Sequence, residues 1–265
     1  QNLFTMRIIT SLIIAIAMLL STTGCAEKTP HVIAHRGYWD TDGSAQNSIR
    51  SIVKADSIDC FGSEFDVWMT ADGQLVVYHD DAVNGFVIEN SNADDVLSQK
   101  LENGENVPTL DRYLEAGKNL GVRLIFELKP HTDRDQESQA ITKLLDMVQS
   151  KGLADRIDYI TFSKEGMLEL IERAPAGTPV YYLNGEMTPE ELKEAGAAGM
   201  DYELDVLKAH PEWIDRCHEL GLKVNAWTVN EADDLQWCID HKLDFITTND
   251  PELLQSLKHQ QGLSK

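Results

Sequence analysis

Residues 63–80 read SEFDVWMTADGQLVVYHD, and this stretch decides how the strands of the chain are counted. Residues 63–70 and 75–80 are rich in β-branched and aromatic side chains, which is typical of strands. Only ADGQ separates the two runs, and Asp-Gly is a strong signal for a tight hairpin turn. The two runs are therefore predicted to pair antiparallel.

The register of this hairpin has a consequence for chemistry. A two-residue turn centred on Asp72 and Gly73 would place Asp66 opposite His79, with their Cβ atoms about 5 Å apart on one face. Glu64 lies two residues before Asp66 and shares that face. The hairpin is therefore predicted to bring a histidine beside two carboxylates, and a register shifted by one residue would undo this pairing.

The chain after residue 30 alternates strand-like runs with amphipathic runs of helical period, which is typical of parallel βα units. Because the hairpin contributes one antiparallel arm, eight of the nine strand candidates remain for a closed (β/α)8 TIM barrel. An open doubly wound sheet is the alternative, but the units follow at even spacing without a glycine-rich phosphate fingerprint. The strand candidates are 31–36, 63–70, 75–80, 123–129, 157–163, 179–183, 200–206, 222–229 and 244–249.

No linker or change of composition divides residues 31–265, so they are predicted to form one domain. Residues 81–107 have no clear period and are predicted to be a short loop insertion after the second barrel strand and its hairpin.

The N-terminal residues are typical of an export signal. Arg7 precedes an apolar run that ends in small residues and Cys25. Residues 1–25 are therefore predicted to be a lipoprotein-type signal peptide ending at a lipidated Cys25, followed by a short tether at 26–30. Thr22 stands where such signals usually have a leucine-like residue. A cleaved secretory peptide without an anchor is the alternative, and a retained membrane helix is the least favoured.

This signal predicts an exported bacterial envelope protein, lipid-anchored at the periplasmic or outer-membrane face. The anchor is the only contact with a membrane that the sequence predicts. Cys60, Cys217 and Cys238 have no spacing typical of a metal site and are interpreted as packing residues.

The chain is strongly acidic, with 44 Asp and Glu residues against 23 Lys and Arg residues and a formal net charge of −21. Such a surface would repel a polyphosphate strand, so a nucleic-acid partner is excluded and a small-molecule substrate is favoured. An anionic substrate would need positive charge placed locally, against the field of the whole protein.

The active sites of TIM barrels lie where the strands end and the βα loops begin. Several charged or hydrogen-bonding residues stand at these positions along the chain. They are His35, Arg36, Glu64, Asp66, His79, Glu127, Lys129, Glu203, Asp205, Trp227 and Asn230.

Three of these carboxylates, Glu64, Asp66 and Glu127, would converge at one rim of the barrel. Oxygen ligands of this kind suit one hard divalent cation, Ca²⁺ or Mg²⁺, and the sequence does not choose between them. Arg36 and Lys129 are candidate donors to a phosphate group.

His35 and His79 are the candidate catalytic acid and base, because histidine titrates near neutral pH. The sequence does not assign the two roles.

The motifs resemble, in order and spacing, those of the glycerophosphodiester phosphodiesterase family from about residue 31 to the end. One departure is Gln46 in AQNS, where the family usually has the glutamate of Pro-Glu-Asn-Thr, although Asn47 is kept. The motifs are HRG (35–37), E-x-D (64–66), T-x-D-G with H-D (70–80), P-T-L (108–110), E-x-K (127–129) and W-T-V-N (227–230).

This resemblance implies metal-dependent hydrolysis of glycerophosphodiesters to sn-glycerol 3-phosphate and an alcohol. The attacking group is either water or the glycerol 2-hydroxyl. Trp227 is a candidate to stack on the glycerol, with a core position as its alternative, and Glu203 is a candidate to bind the glycerol hydroxyls. Two other functions use the same residues: a lysophospholipase D-like phosphodiesterase, or a non-catalytic lipoprotein that binds phosphodiesters.

Overall fold

Eight parallel strands close into a barrel in the computed structural model, which describes residues 29–263. A ninth strand, Leu75–Val77, is antiparallel to its neighbour Gly62–Met69. The first strand, His31–Ala34, pairs with both Gly62–Met69 and Phe245–Thr248, which closes the ring. The predicted (β/α)8 TIM barrel is therefore confirmed. The barrel strands are β1 (His31–Ala34), β2 (Gly62–Met69), β6 (Arg123–Leu128), β7 (Ile157–Thr161), β8 (Val180–Tyr182), β9 (Gly199–Glu203), β10 (Lys223–Trp227) and β11 (Phe245–Thr248), and the hairpin arm is β3 (Leu75–Val77).

Helices cover the outside of the barrel, and several begin at caps that the sequence encodes. Thr188 and Glu191 form a reciprocal capping box, with Pro189 in the first turn. The α-helices are α1 (Ile49–Ser57), α2 (Ala93–Leu97), α3 (Leu110–Gly117), α4 (Arg134–Ser150), α5 (Lys164–Arg173), α6 (Pro189–Ala195), α7 (Leu204–Ala209), α8 (Glu212–Glu219), α9 (Ala232–Asp240) and α10 (Pro251–Gln260). Short 3₁₀ turns occupy Ile88–Asn90 and Ala154–Arg156.

The two faces of each barrel strand carry different residues. In β6, Leu124 and Phe126 point outward into the main core between strands and helices, whereas Ile125 and Glu127 point into the barrel. Burying a side chain such as Phe126 stabilises the fold by about 1.5–3 kcal/mol. This outer core is large enough for the barrel to tolerate polar side chains inside its upper end.

The hairpin register differs from the predicted one by one residue. Met69 pairs with Leu75, and the amide of Tyr78, not of His79, donates to the carbonyl of Asp66 at 3.0 Å. The predicted two-residue turn was wrong because three residues, 71–73, form the loop, with Gly73 in the left-handed region at φ +84°. Three-residue hairpin loops use glycine at this position.

The 81–107 insertion has more structure than the predicted loop. It contains a two-stranded ribbon, β4 (Ala82–Val83) and β5 (Phe86–Val87), together with α2. Val83, Ile88 and Val96 pack with Trp68 of β2 in a small apolar cluster of their own. The insertion is therefore anchored to the hairpin by packing.

The structure also tests the predictions for residues 204–206 and for the three cysteines. Residues 204–206 were predicted to extend a strand, but they begin α7 directly after β9 ends. Cys60, Cys217 and Cys238 are buried and unpaired, as their interpretation as packing residues requires.

The predicted signal peptide and lipidated Cys25 lie outside the described residues, as does most of the tether, and they stay predictions. Within residues 29–263, no helix is long and apolar enough to cross a membrane.

Gly199 should be intolerant of any side chain, because an added Cβ would lie 2.0 Å from the backbone carbonyl oxygen of Lys223 on the neighbouring strand. We expect Gly199→Ala to lower the free energy of unfolding by about 3 kcal/mol or more, since the clash is with backbone inside a sheet. Urea denaturation measures this. The matched control is Gly121→Ala in a loop, where the nearest atom would be 3.4 Å away, and equal stability of the two variants would contradict the expectation.

Candidate active site

A pocket with about 450 Å³ of empty space opens at the carboxyl-terminal end of the barrel. Most of the residues predicted from the strand ends line it, and Asp66 lies directly behind its wall in contact with Lys129. The predicted residues that line the pocket are His35, Arg36, Glu64, His79, Glu127, Lys129 and Trp227.

The three predicted metal ligands converge because β2 and β6 are neighbours in parallel register. Asp66 pairs with Glu127 across the two strands, and Glu64 lies two residues before Asp66 on the same inward face. One carboxylate oxygen from each of the three residues lies within 4.8 Å of the other two, and all three residues are buried. The arrangement is that of a candidate site for one cation.

Lys129 supplies positive charge to this cluster. Its Nζ lies 2.7 Å from Asp66 Oδ1 and 2.7 Å from Glu127 Oε1, although the lysine is itself only 7% exposed. Burial alone would raise the pKa of Asp66, but Lys129, His79 and a hydrogen bond from Asn47 lower it to about 2. Burial raises the pKa of Glu127 to about 8 despite Lys129.

Among the described carboxylates of this cluster, Glu64 has the clearest features of a ligand for a cation. Burial, reinforced by Asp66 and Glu127, raises its pKa well above the ordinary value. Its Oε2 accepts a hydrogen bond from the Arg36 amide at 2.7 Å, while its Oε1 is buried without a hydrogen-bond partner among the described residues. A buried oxygen left unpaired beside two further carboxylates fits a divalent cation with oxygen ligands.

The two histidines lie on different sides of the pocket. His35 follows β1, and its Nδ1 donates to Asn249 Oδ1 at 2.8 Å, with Nε2 4.0 Å from Glu64 Oε2. Burial and the nearby Arg36 charge lower the pKa of His35 to about 4.

His79 is more exposed, and its Nδ1 donates to the carboxylate of Asp80 at 2.6 Å. Burial lowers the pKa of His79, while Asp66 and Asp80 oppose that shift.

Arg36 is held by backbone and side chain together. It has a φ of +56°, and its carbonyl accepts from the Asn47 amide at 3.0 Å. Its guanidinium donates to Gln46 Oε1 at 2.6 Å and lies 4.0 Å from Asp66. The amide of Gln46 therefore holds Arg36 without neutralising its charge.

Asn47 positions Asp66 from two directions. Its amide nitrogen donates to Asp66 Oδ2 at 2.7 Å, and its Oδ1 accepts from the Asp66 amide at 3.1 Å. Both contacts are buried, so they fix the side chain of Asp66 for the cation site.

The other half of the pocket is mostly apolar. Phe162 and Trp227 pack edge to face with ring centroids 5.5 Å apart, and Leu183 lies beside them. Trp227 Nε1 donates to the carbonyl of Asp201 at 2.8 Å. Trp227 therefore lines the pocket, as expected for a residue that contacts substrate.

The structure does not bring the predicted site residue Glu203 to the pocket, and the strand-end residues Asp205 and Asn230 do not line it either. β9 ends at Glu203 and α7 begins at the next residue, so the chain turns away and the Glu203 side chain is exposed. Asp201, two residues earlier on the same strand face, lines the pocket instead. Side chains two residues apart on a strand lie on the same face, so the pattern that indicated Glu203 also indicated Asp201.

Comparisons with known proteins agree with the motifs. Residues 35–253 match the model of the glycerophosphoryl diester phosphodiesterase family. A glycerophosphodiester phosphodiesterase from Parabacteroides distasonis has a crystal structure with 46% identity and a TM-score of 0.87, covering 89% of this chain and 99% of that one.

Two more distant relatives extend the likeness. A glycerophosphodiester phosphodiesterase of Caldanaerobacter subterraneus subsp. tengcongensis is 27% identical over 87% of this chain and 98% of its own length. A phosphodiesterase of Oleispira antarctica, solved with its product sn-glycerol 3-phosphate, shares the fold at 22% identity and a TM-score of 0.74, over 86% of this chain and 97% of that one.

The carboxylate cluster should make the fold more stable when a divalent cation is added. After treatment with EDTA and dialysis, Ca²⁺ or Mg²⁺ at 100 times its Kd is expected to stabilise the protein by about 2.7 kcal/mol. For a chain of this size that is a rise in Tm of about 5–10 °C.

Glu64→Gln should lose most of this rise, because it removes a ligand charge while keeping the shape of the side chain. Glu203→Gln, at an exposed position, should keep it. An equal rise in wild type and Glu64→Gln, measured against NaCl of matched ionic strength, would contradict the assignment.

Asp201 should make stability depend on pH. Burial raises its pKa from an ordinary 3.8 to about 7, so the folded protein holds a proton that the unfolded chain releases. The free energy of unfolding therefore falls as pH rises from about 4 to 7, by about 1.4 kcal/mol per unit. Asp201→Asn removes this cost and should be more stable than wild type by about 2–4 kcal/mol at pH 8, with little difference at pH 4.

Urea denaturation at the two pH values, with EDTA present, measures the effect. Glu203→Gln, which keeps Asp201, should retain the wild-type fall in stability with rising pH. A difference between Asp201→Asn and wild type that does not change with pH would reject the raised pKa.

Proposed function

The chain belongs to the glycerophosphoryl diester phosphodiesterase family, and we propose from this premise that it hydrolyses glycerophosphodiesters to sn-glycerol 3-phosphate and an alcohol. One observation carries the proposal. The three carboxylates, the two imidazoles and the two cationic side chains, which come from separate βα units, all meet at one pocket.

Arg36 and Lys129 are the groups that bind the phosphate. They provide positive charge inside a chain whose net charge is −21, so the anionic substrate is held by local charge against the overall field. Arg36 offers a planar fork of donors and Lys129 a compact ammonium. Both stabilise charge that develops on the phosphoryl oxygens in the transition state.

Glu64, Asp66 and Glu127 would hold one divalent cation, Ca²⁺ or Mg²⁺. The cation, when bound, supplies a Lewis acid that withdraws charge from phosphoryl oxygen and lowers the pKa of a hydroxyl group. Asn47 and Lys129 keep the carboxylates oriented for it.

His35 is the general base in this proposal. Its low pKa makes it neutral at pH 7, and because Nδ1 donates to Asn249, its Nε2 carries the free lone pair. It can therefore accept the proton of the attacking water or of the glycerol 2-hydroxyl.

His79 is the general acid. Asp80 accepts a hydrogen bond from its Nδ1 and, with Asp66, opposes the lowering of the His79 pKa by burial. When the ring is protonated, its Nε2–H can donate to the departing alcohol. Its position at the open side of the pocket suits contact with a leaving group.

Two alternatives use the same residues. A lysophospholipase D-like activity would place a lipid in the position of the glycerol substituent, and the apolar wall of Phe162, Leu183 and Trp227 is compatible with such a substrate. A binding lipoprotein without turnover is disfavoured, because both imidazoles and all three carboxylates are present in the pocket. Export and lipidation of Cys25 are proposed from the sequence alone.

The proposed roles of the two histidines predict how kcat of each alanine variant depends on the leaving group of the substrate. Wild type should release sn-glycerol 3-phosphate from glycerophosphocholine, and EDTA should abolish the release. His35→Ala and His79→Ala should each lower kcat by about 10²–10⁴ on this substrate. On the p-nitrophenyl ester of sn-glycerol 3-phosphate, whose leaving group needs no proton, only His79→Ala should recover to near the wild-type rate.

His259→Ala, at an exposed helix position, is the matched control and should behave as wild type on both substrates. If the rate of His35→Ala on the p-nitrophenyl ester recovered instead, His35 would be the general acid and His79 the general base. Turnover of lysophosphatidylcholine in preference to glycerophosphocholine would favour the first alternative, and binding of diesters without any turnover would favour the second.

A further inference from the structure

A second opening continues from the pocket on the side of His79. It is a polar groove with about 830 Å³ of empty space, lined by residues that follow the hairpin and by the 81–107 insertion. Arg36 and His79 line both the pocket and the groove, so a phosphate held by Arg36 would lie at their junction. Because His79 is the proposed general acid, the groove is the place for the departing alcohol of the diester, its head group.

Tyr78 gives this groove an aromatic wall at a fixed position. Its backbone amide donates to the Asp66 carbonyl at 3.0 Å, and its half-buried ring packs against the apolar cluster of the insertion. Burial raises the pKa of Tyr78, and the charges of Asp80 and Glu102 raise it further, with no cation opposing them. The charges that act on the ring hydroxyl are therefore both negative.

The two carboxylates differ in how far they are engaged. Asp80 accepts from His79 Nδ1 through its Oδ1 at 2.6 Å, so its charge serves the histidine. The side chain of Glu102 is exposed, and within residues 29–263 it forms no hydrogen bond or ion pair. Glu102 is therefore the negative charge of the groove that is available to a ligand.

The turn that carries Glu102 is tied to the barrel. The amide of Leu101 donates to the carbonyl of Glu105 at 2.8 Å, which closes the turn. The carboxylate of Glu105 accepts from the amide of Ile49 at 3.1 Å, in the first turn of α1. These contacts hold the backbone of Glu102 beside the groove.

Two cationic side chains also line the groove, but both are engaged away from Tyr78. The guanidinium of Arg36 donates to Gln46 at the pocket end. The ammonium of Lys100 donates to the side-chain oxygen of Asn106. An aromatic ring flanked by carboxylates is an environment that attracts an organic ammonium group, through the ring face and through Coulomb attraction.

We propose that the groove is the head-group subsite and that it selects an alcohol bearing an ammonium group, such as choline or ethanolamine, with Tyr78 as the aromatic platform and Glu102 as the countercharge. The inference rests on the proposed function and deepens it, because it names the class of diester that this site prefers. A neutral polyol head group is the alternative that the test must exclude.

The test compares two esters of equal shape that differ in charge. They are glycerophosphocholine and its uncharged isostere, the sn-glycerol 3-phosphate ester of 3,3-dimethylbutanol, in which carbon replaces nitrogen. The ratio of their kcat/KM values measures charge selectivity, and comparing this ratio between variants cancels the intrinsic difference between the leaving groups. At an ionic strength of about 10 mM, Glu102→Gln should lower the ratio about fivefold, and the loss should fall on the choline ester.

Tyr78 and Lys100 predict changes of other kinds. Tyr78→Leu should lower the ratio about threefold, whereas Tyr78→Phe keeps the ring and should retain it. Lys100→Gln should raise the ratio, because it removes a positive charge from the groove. Glu172→Gln is the matched control: it lies exposed on α5, changes the net charge equally and should keep the wild-type ratio. Tm values establish that each variant is folded.

Salt and a second head group complete the test. Raising NaCl to about 1 M should bring the wild-type ratio toward that of Glu102→Gln, because salt screens the carboxylate. Glycerophosphoethanolamine, measured against the same neutral ester, distinguishes the two ammonium alcohols. Both esters should lose preference in Glu102→Gln, and the larger wild-type ratio identifies the better head group.

A ratio that neither Glu102→Gln nor Tyr78→Leu changes would overturn the inference, as would an equal loss for both esters, which would assign these residues a structural role. Faster turnover of glycerophosphoglycerol than of glycerophosphocholine would assign the groove to a polyol and overturn it too. In each of these cases the hydrolysis itself would stand. Wild type that hydrolyses no glycerophosphodiester would instead remove the proposed function, and the inference with it.

Discussion

The ammonium of Lys129 lies 2.7 Å from a carboxylate oxygen of Asp66 and 2.7 Å from one of Glu127, and the whole site depends on these two contacts. Three buried carboxylates within 4.8 Å would repel one another strongly if all were charged. Lys129 keeps Asp66 ionised, while Glu64 and Glu127 remain with raised pKa values. The cluster is therefore incompletely neutralised by its own side chains, which leaves it suited to a further positive charge.

The alternation of side chains along parallel strands made most of this site predictable. Glu64 and Asp66 are two residues apart, as are Glu127 and Lys129, so each pair had to point to one side of its strand. The apolar residue between the members of each pair, Phe65 or Leu128, then indicated that the polar side faces the inside of the barrel. The barrel itself followed from counting strands once the hairpin had been recognised.

The features that could not be predicted from the sequence depend on backbone geometry at the ends of the strands and helices. Gly73 adopts a left-handed conformation that lengthens the hairpin loop by one residue, and Asp-Gly alone does not distinguish the two loop lengths. His79 still lines the pocket because it lies two residues beyond the end of β3, where strand parity no longer directs the side chain. Glu203 lies outside the pocket because the strand ends there and α7 begins at the next residue, where the sequence predicted that the strand would continue. Asn249, which orients His35, carries no charge and gave no comparable signal.

For the proposed function, the charges in the pocket predict that phosphate and cation bind cooperatively. The Lys129 ammonium contacts two carboxylates and the Arg36 guanidinium lies 4.0 Å from Asp66, so these carboxylates compete with an anionic substrate for both side chains. A divalent cation bound by the three carboxylates would neutralise their charge in place of Lys129 and Arg36. The N–H groups of Lys129 and Arg36 could then donate to the phosphate. Coupling between two ligands is reciprocal, so the phosphate must strengthen cation binding by the same factor. Gln46 adds to this effect, because a glutamate in its place would give Arg36 a further competing anion, whereas the amide holds the guanidinium and leaves its charge for the substrate.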